Sequence, residues 1–247
     1  MSFHKFAPNL SMSDNPGFDN YCQEIVHDLM RDIDTNFAKA LDVEPFSTCQ
    51  CFIEYHDNDP FCMKLDEYHM IFLSVKRHSL PQWIYQFAHE YCHHLINGEL
   101  GADIYGCIWF EETICELASM YQIHTIYTQW SGCNNHIKNL ASSAFQPYLD
   151  DLLTQQPQLL SDTLRLGFLT HWEQILSEQI YHRNYYNALA SRIFPLFVEN
   201  PSLWKIILHF GDMRKWSSLR ELFDHLRRNA TPDYSDSLNK LQFLLFS

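Results

Sequence analysis

The sequence predicts an α+β protein that is mostly helical, with a small sheet packed on one central helix and a helical carboxy-terminal subdomain after it. Two strand patterns precede the helix at 81–97, and the apolar repeats after that helix have helical spacing. With 46% hydrophobic and 15% aromatic residues, the 247-residue chain can bury a full core. We expect a first subdomain at 1–130 and a second at 131–247, with the junction at 131–135.

The predicted elements of the first half follow from local patterns. After a loose amino terminus, the segment 19–41 is predicted to be a helix because apolar residues recur at every fourth position. Strands are predicted at 49–55 and 69–75 because β-branched and aromatic residues are concentrated there. The sequence Asp-Asn-Asp-Pro at 57–60 predicts the turn between them.

The helical part of the chain begins at 81–97. Pro81 suits the first turn of that helix, and Gly98 suits its carboxyl end. Apolar spacing and capping residues predict further helices at 104–127, 162–183, 185–198, 202–210 and 217–228.

Charge and cysteine usage restrict the classes of function. The formal net charge is −13, so neither nucleic acid nor an anionic membrane is expected as the main partner. There is no uninterrupted apolar run long enough to span a membrane and no secretory pattern at the amino terminus, so a cytoplasmic protein with reduced thiols is expected. The spacing of the eight cysteines is irregular, so no second metal site is expected from Cys49, Cys51 and Cys62 with His56 or His69.

The H-E-x-x-H motif at 89–93 carries the most chemical information. His89 and His93 are four positions apart and share one helix face, so both can bind a single metal ion. Glu90 lies beside that face, where its carboxylate can reach a metal-bound water as a general base. The plainer alternative is a buried helix with satisfied core histidines. The neighbouring His94 points elsewhere and is expected to be a surface or packing residue.

The segment 107–118 offers the third ligand that a catalytic zinc site needs. It is apolar apart from one threonine and three acids, and a buried carboxylate needs a cation or hydrogen-bond donors. On a helix, Glu112 and Glu116 share a face, whereas Glu111 points about 100° away. We therefore expect Glu112 to be the third ligand of Zn²⁺, and Glu116 to orient His89 through a hydrogen bond from its other ring N–H.

H-E-x-x-H followed by a glutamate, with 18 residues between His93 and that glutamate, resembles the gluzincin branch of the zincin metallopeptidases. In that branch a second helix supplies the glutamate ligand, and an acidic residue four positions later supports the first histidine. Glu112 and Glu116 match these two positions. The resemblance covers roughly residues 50–125 and departs from the aminopeptidase-like members at Glu111, where those carry asparagine. It implies a zincin-like core and a zinc site, not aminopeptidase activity.

The predicted function is zinc-dependent hydrolysis of peptide or protein amide bonds. Glu90 would take the proton of the attacking water, and Tyr185 or Tyr186 is a candidate donor to the oxyanion, although each also suits simple packing. By similarity to zincins, the strand at 69–75 either binds an extended peptide by strand addition or is an ordinary core strand. Two alternatives stay open: a non-peptide amide as substrate, and a catalytically inactive zincin-like module that binds or regulates proteins.

Overall fold

The computed structural model describes residues 2–14, 20–75, 79–96, 107–154, 183–215 and 218–246. Within these ranges the protein is α+β and mostly helical, with one five-stranded sheet, as the sequence predicts. The predicted helix at 162–183, apart from its last residue, and the predicted helix end at Gly98 fall outside the described residues.

The sheet is mixed. Its strands are β1 (Phe3–Ala7), β2 (Leu10–Ser13), β3 (Gln50–Tyr55), β4 (Phe61–Lys64) and β5 (Tyr68–Leu73). They lie in the order β1-β2-β3-β5-β4, with β3 parallel to both of its neighbours and the outer pairs antiparallel. In β3 and β5 alternate residues are fully buried, namely Cys51, Ile53, Ile71 and Leu73, so one face of the sheet covers the core.

Two parts of the sheet were not predicted from the sequence. The amino terminus, expected to be loose, forms the antiparallel pair β1–β2, and β4 follows the predicted turn. These strands have only four or five residues, so each shows too few apolar alternations to stand out from a loop.

Strand β5 is an interior strand. His69 pairs with Cys51 of β3 on one side, and Ile71 pairs with Cys62 of β4 on the other. Because both hydrogen-bonding edges of β5 are occupied, the strand-addition alternative at 69–75 is wrong and the core-strand alternative holds. In the described residues the edge strand on this side is β4.

The helices account for most of the described chain. They are α1 (Asn20–Leu41), α2 (Leu80–Leu95), α3 (Ile108–Trp130), α4 (His136–Ser142), α5 (Phe145–Thr154), α6 (Arg183–Glu199), α7 (Leu219–Asn229) and α8 (Ser235–Phe246), with a 3₁₀ helix at Pro201–Lys215. The predicted helices at 19–41, 81–97, 104–127, 185–198 and 217–228 are thus confirmed, with ends that differ by a few residues. The segment predicted at 202–210 is helical but has the tighter 3₁₀ geometry.

The described residues pack into two compact units, and neither is a continuous stretch of chain. The first comprises 1–95 and 118–150. Its core contains the stripe of α1 predicted from the sequence, in which Ile25, Leu29, Ile33 and Phe37 are buried. Each such side chain contributes roughly 1.5–3 kcal/mol of transfer free energy, so this stripe is a main reason why α1 is a stable helix.

The second unit comprises 96–117 and 151–247. In its described part, Phe110 packs against Phe210 and Phe223, with ring centroids 5.9 and 6.0 Å away. The subdomain boundary expected at 131–135 stays a prediction. No helix in the described ranges is long and apolar enough to cross a membrane.

Candidate metal centre

Helix α2 positions all three residues of the H-E-x-x-H motif. Its apolar face, including Ile84 and Phe87, is completely buried, which fixes how the helix is rotated. His89 and Glu90 are also buried, and His93 is half-buried at the helix end. The motif therefore does not lie on a solvated helix face.

Helix α3 begins in the second unit and continues into the first, where it contacts α2. The Ser119 hydroxyl donates a hydrogen bond to the Tyr85 carbonyl of α2 at 2.7 Å. Glu112 lies seven positions before Ser119, so it is on nearly the same face of α3, about 10 Å along the axis.

The three predicted ligands come together in the structure. One ring nitrogen each of His89 and His93 and one carboxylate oxygen of Glu112 all lie within 4.8 Å of one another. Ligand atoms around a tetrahedral zinc ion are about 3.3 Å apart, so small side-chain rotations would bring this group to bonding distance. Two imidazoles and one carboxylate, with a fourth position left for water, are a donor set used by catalytic zinc sites.

A neighbour of this cluster that sequence reasoning missed is Cys62 in β4. Burial raises the pKa of the Cys62 thiol to about 12; nearby His93 lowers it and Glu90 raises it. Cys62 is therefore a neutral thiol close to the motif at pH 7. The strand that brings it there was not predicted, so no sequence pattern indicated this contact.

Glu116 is buried and accepts a hydrogen bond from Nε of Arg183 at 3.0 Å. This ion pair joins residues 67 positions apart, and no spacing rule could have predicted it. The contact with His89 that the sequence suggests for Glu116 stays a prediction.

The two candidate oxyanion donors lie in the first turn of α6. Tyr186 is buried, and Tyr185 is half-buried. Burial of Tyr186 fits a packing role, and the catalytic role of either side chain stays a prediction.

His94 is buried, so of the two expectations for it, a surface residue or a packing residue, the second holds. Its ring also makes a polar contact. It is 2% exposed, and its ring stacks on Tyr91 at 4.9 Å. Its Nδ1 lies 2.7 Å from Nδ1 of His69. Burial lowers the pKa of His94 to about 3, with smaller contributions from His69 and Lys64, so the ring is neutral at pH 7.

The chain matches no protein-family profile and no curated protein at significant similarity. Its function therefore has to be argued from the geometry of these side chains.

Proposed function

We propose that the protein is a zinc-dependent peptidase that hydrolyses peptide or protein amide bonds. The observation that carries this proposal is the convergence of His89, His93 and Glu112, whose ligand atoms lie within 4.8 Å of one another beside a buried glutamate. Zinc, when bound there, would supply a Lewis acid that lowers the pKa of a coordinated water toward about 7.

The roles of the side chains follow from their chemistry. His89 and His93 would hold the metal through nitrogen lone pairs, and the Glu112 carboxylate would offset part of its charge. Glu90 is displaced from the ligand face by one residue, so its carboxylate would not be a metal ligand and would accept the proton of the attacking water. The same carboxyl group then gives that proton to the departing amine. A base of this kind has no purpose in a site that only binds metal, and this favours an enzyme.

The edge strand β4 supports an extended peptide as the substrate. It is the outermost strand on its side of the described sheet, and Cys62 in its centre lies close to His93 and Glu90. A peptide that added to this edge through main-chain hydrogen bonds would run beside the motif. Phe61 and Met63 are 40% and 36% exposed, and they would contact apolar side chains of such a peptide.

The same edge favours a second candidate function, a zincin-like module that binds peptides or proteins without cleaving them. Phe61 and Met63 would contribute to affinity whether or not water is activated nearby. Hydrolysis is preferred because Glu90 is retained at the position of the base.

The test compares wild type, Glu90→Gln and Glu111→Gln in zinc content and in cleavage of a quenched fluorescent peptide library. Glu90→Gln should retain its zinc and lose activity by roughly 10²–10⁴-fold, because only the proton acceptor is removed. Glu111→Gln is the matched control. Because Glu111 lies on another face of α3, this variant should retain both zinc and activity.

Two outcomes would contradict the proposal. Loss of zinc from Glu90→Gln would make Glu90 a ligand and not a base. A zinc-loaded wild type that binds peptides but cleaves none would instead favour the binding module.

A further inference from the structure

A second cluster of ligand-type side chains lies in the first compact unit, where the start of β3, strand β5 and the end of α2 meet. Cys49 directly precedes β3, His69 is in β5, and His94 is in the last turn of α2. One ligand atom from each of the three lies within 4.8 Å of the other two. We propose that Cys49, His69 and His94 form a second metal site that binds Zn²⁺ independently of the His89–His93–Glu112 cluster.

The backbone holds these side chains together without help from an ion. Parallel pairing of β3 with β5 places His69 opposite Cys51, and Cys49 lies two positions before Cys51, so Cys49 is a diagonal neighbour of His69. The Nδ1 atoms of His69 and His94 are 2.7 Å apart and face one another. Around tetrahedral zinc they would be about 3.3 Å apart, so the two rings need to separate by only about half an ångström.

The burial of His94 supports a bound ion. His94 is 2% exposed, and its Nδ1 faces the Nδ1 of His69 at 2.7 Å. When both imidazoles are neutral, only one of them can donate in that contact, whereas an ion bound between the rings would accept a lone pair from each. A histidine that only filled space in this position would be better replaced by an apolar residue.

The chemistry of the cluster selects the ion. One thiolate and two neutral imidazoles form a donor set that suits Zn²⁺ and disfavours hard cations such as Mg²⁺ or Ca²⁺. His94 is in the last turn of α2, where the negative end of the helix dipole attracts a cation.

The exposure of the cluster gives the ion a route in. Cys49 is exposed and His69 is half-buried, so an ion can enter from solvent and keep a water in its fourth position. Once bound, it would tie the strands β3 and β5 to α2, the helix that carries His89 and His93. We infer a structural role that holds the motif helix against the sheet.

The first experiment uses Co²⁺ in place of Zn²⁺, because Co²⁺ bound to a thiolate produces a near-ultraviolet charge-transfer band. The His89–His93–Glu112 cluster contains no thiol, so the band would report only on the second cluster. Wild type and the double variant His89→Ala/His93→Ala should both show the band. Cys49→Ser should lose it, and this change at an exposed position should leave the fold intact by circular dichroism. Cys133→Ser, at a half-buried thiol outside both clusters, is the matched control and should keep the band.

Zinc content separates this proposal from the proposed function. Wild type should hold about two zinc ions per chain, and Cys49→Ser and His89→Ala/His93→Ala about one each. About one zinc in wild type that survives Cys49→Ser but not the double variant would overturn the second site and leave the first. The reverse pattern would overturn the first site alone. A cobalt band that disappears in Cys62→Ser but persists in Cys49→Ser would overturn the assignment of Cys49 as a ligand.

Discussion

Tyr91 lies between the two histidines of the motif but has a different role from them. It is fully buried, and its hydroxyl donates a hydrogen bond to the Asp34 carboxylate in α1. The backbone N–H of Phe46 donates to the other carboxylate oxygen at 2.8 Å. Burial raises the pKa of Asp34, and these two donors act in the opposite direction. Tyr91 therefore anchors the motif helix to α1.

Replacing this hydroxyl should destabilise the fold without affecting the metal. We expect Tyr91→Phe to lower the free energy of unfolding by about 1–3 kcal/mol, because a buried carboxylate loses a donor while the ring volume is kept. The measurement is urea unfolding at pH 7. Zinc content should not change, since Tyr91 lies on a different face of α2 from His89 and His93, and the phenylalanine ring keeps the stacking on His94.

Tyr68→Phe is the matched control for this change, because the Tyr68 side chain is exposed on the sheet and its loss of a hydroxyl should cost little. Equal stability of Tyr91→Phe and Tyr68→Phe would show that the Asp34 contact does not stabilise the folded state.

At the residue scale, the sequence predicted the candidate site residues that helical spacing or the family resemblance indicates, Glu112 among them, and missed the groups that depend only on tertiary pairing. His89, Glu90 and His93 could be identified because helical spacing alone places them together. The Arg183–Glu116 ion pair and the cluster of Cys49, His69 and His94 could not, because each depends on which distant segments meet.

At the scale of single elements, the carboxyl end of α1 shows a local conflict between residue type and backbone. The Val43 N–H donates to the Ala38 carbonyl at 3.0 Å, the long hydrogen bond of a Schellman motif. That motif needs a left-handed residue directly after the helix, and Asp42 has φ 61° there. Glycine is the residue best suited to this conformation.

Asp42→Gly should therefore stabilise the protein. The left-handed conformation costs most L-residues roughly 1–2 kcal/mol, and the extra freedom of glycine in the unfolded chain offsets part of the gain, so we expect about 0.5–1 kcal/mol net. The melting temperature should rise accordingly. Asp59→Gly is the control, because Asp59 is exposed in a turn with negative φ and should gain nothing. A lower melting temperature for Asp42→Gly would mean that the aspartate side chain contributes more than its backbone strain costs.

Long amphipathic elements were predictable, and short ones were not. The 22-residue helix α1 repeats its apolar stripe several times, so its pattern cannot be mistaken for a loop. Strand β4 has four residues, and its side chains alternate between exposed and half-buried positions, so no apolar face marks it in the sequence. This strand brings Cys62 to the motif and forms the sheet edge. The part of the site that is proposed to contact a substrate was therefore harder to predict than the part that is proposed to bind the metal.

At the scale of the whole molecule, the α+β class followed from composition and periodicity, but the order of the strands did not. Strand β5 follows β4 in the chain, yet it lies between β4 and β3. Parallel pairing of β3 with β5 and antiparallel pairing of β4 depend on how the turn residues and the covering helices pack together. That balance is a property of the folded chain and has no signature within a single segment.

Global stability should depend on pH through His27, which lies far in sequence from both metal clusters. Its ring stacks on Phe6 at 4.3 Å, and burial lowers its pKa from 6.5 to about 4. The positive charges of Arg31 and His4 act in the same direction, and Asp28 opposes them. Between these two pKa values the unfolded chain binds a proton that the folded protein does not. The free energy of unfolding should therefore be greatest above pH 6.5 and fall as the pH drops toward 4, by at most about 3 kcal/mol from this group.

His27→Phe removes the titrating ring and keeps the stacking surface against Phe6. The variant should lose less stability than wild type between pH 6.5 and 4, whereas their difference should be constant above pH 7 and again below pH 4, where the protonation of His27 is the same in both states. Urea unfolding of both proteins across this range measures the effect, with His136→Phe at an exposed position as the control. Parallel curves for wild type and His27→Phe throughout the range would mean that the folded protein accommodates a charged imidazole at this position, and acid destabilisation would then arise from its carboxylates.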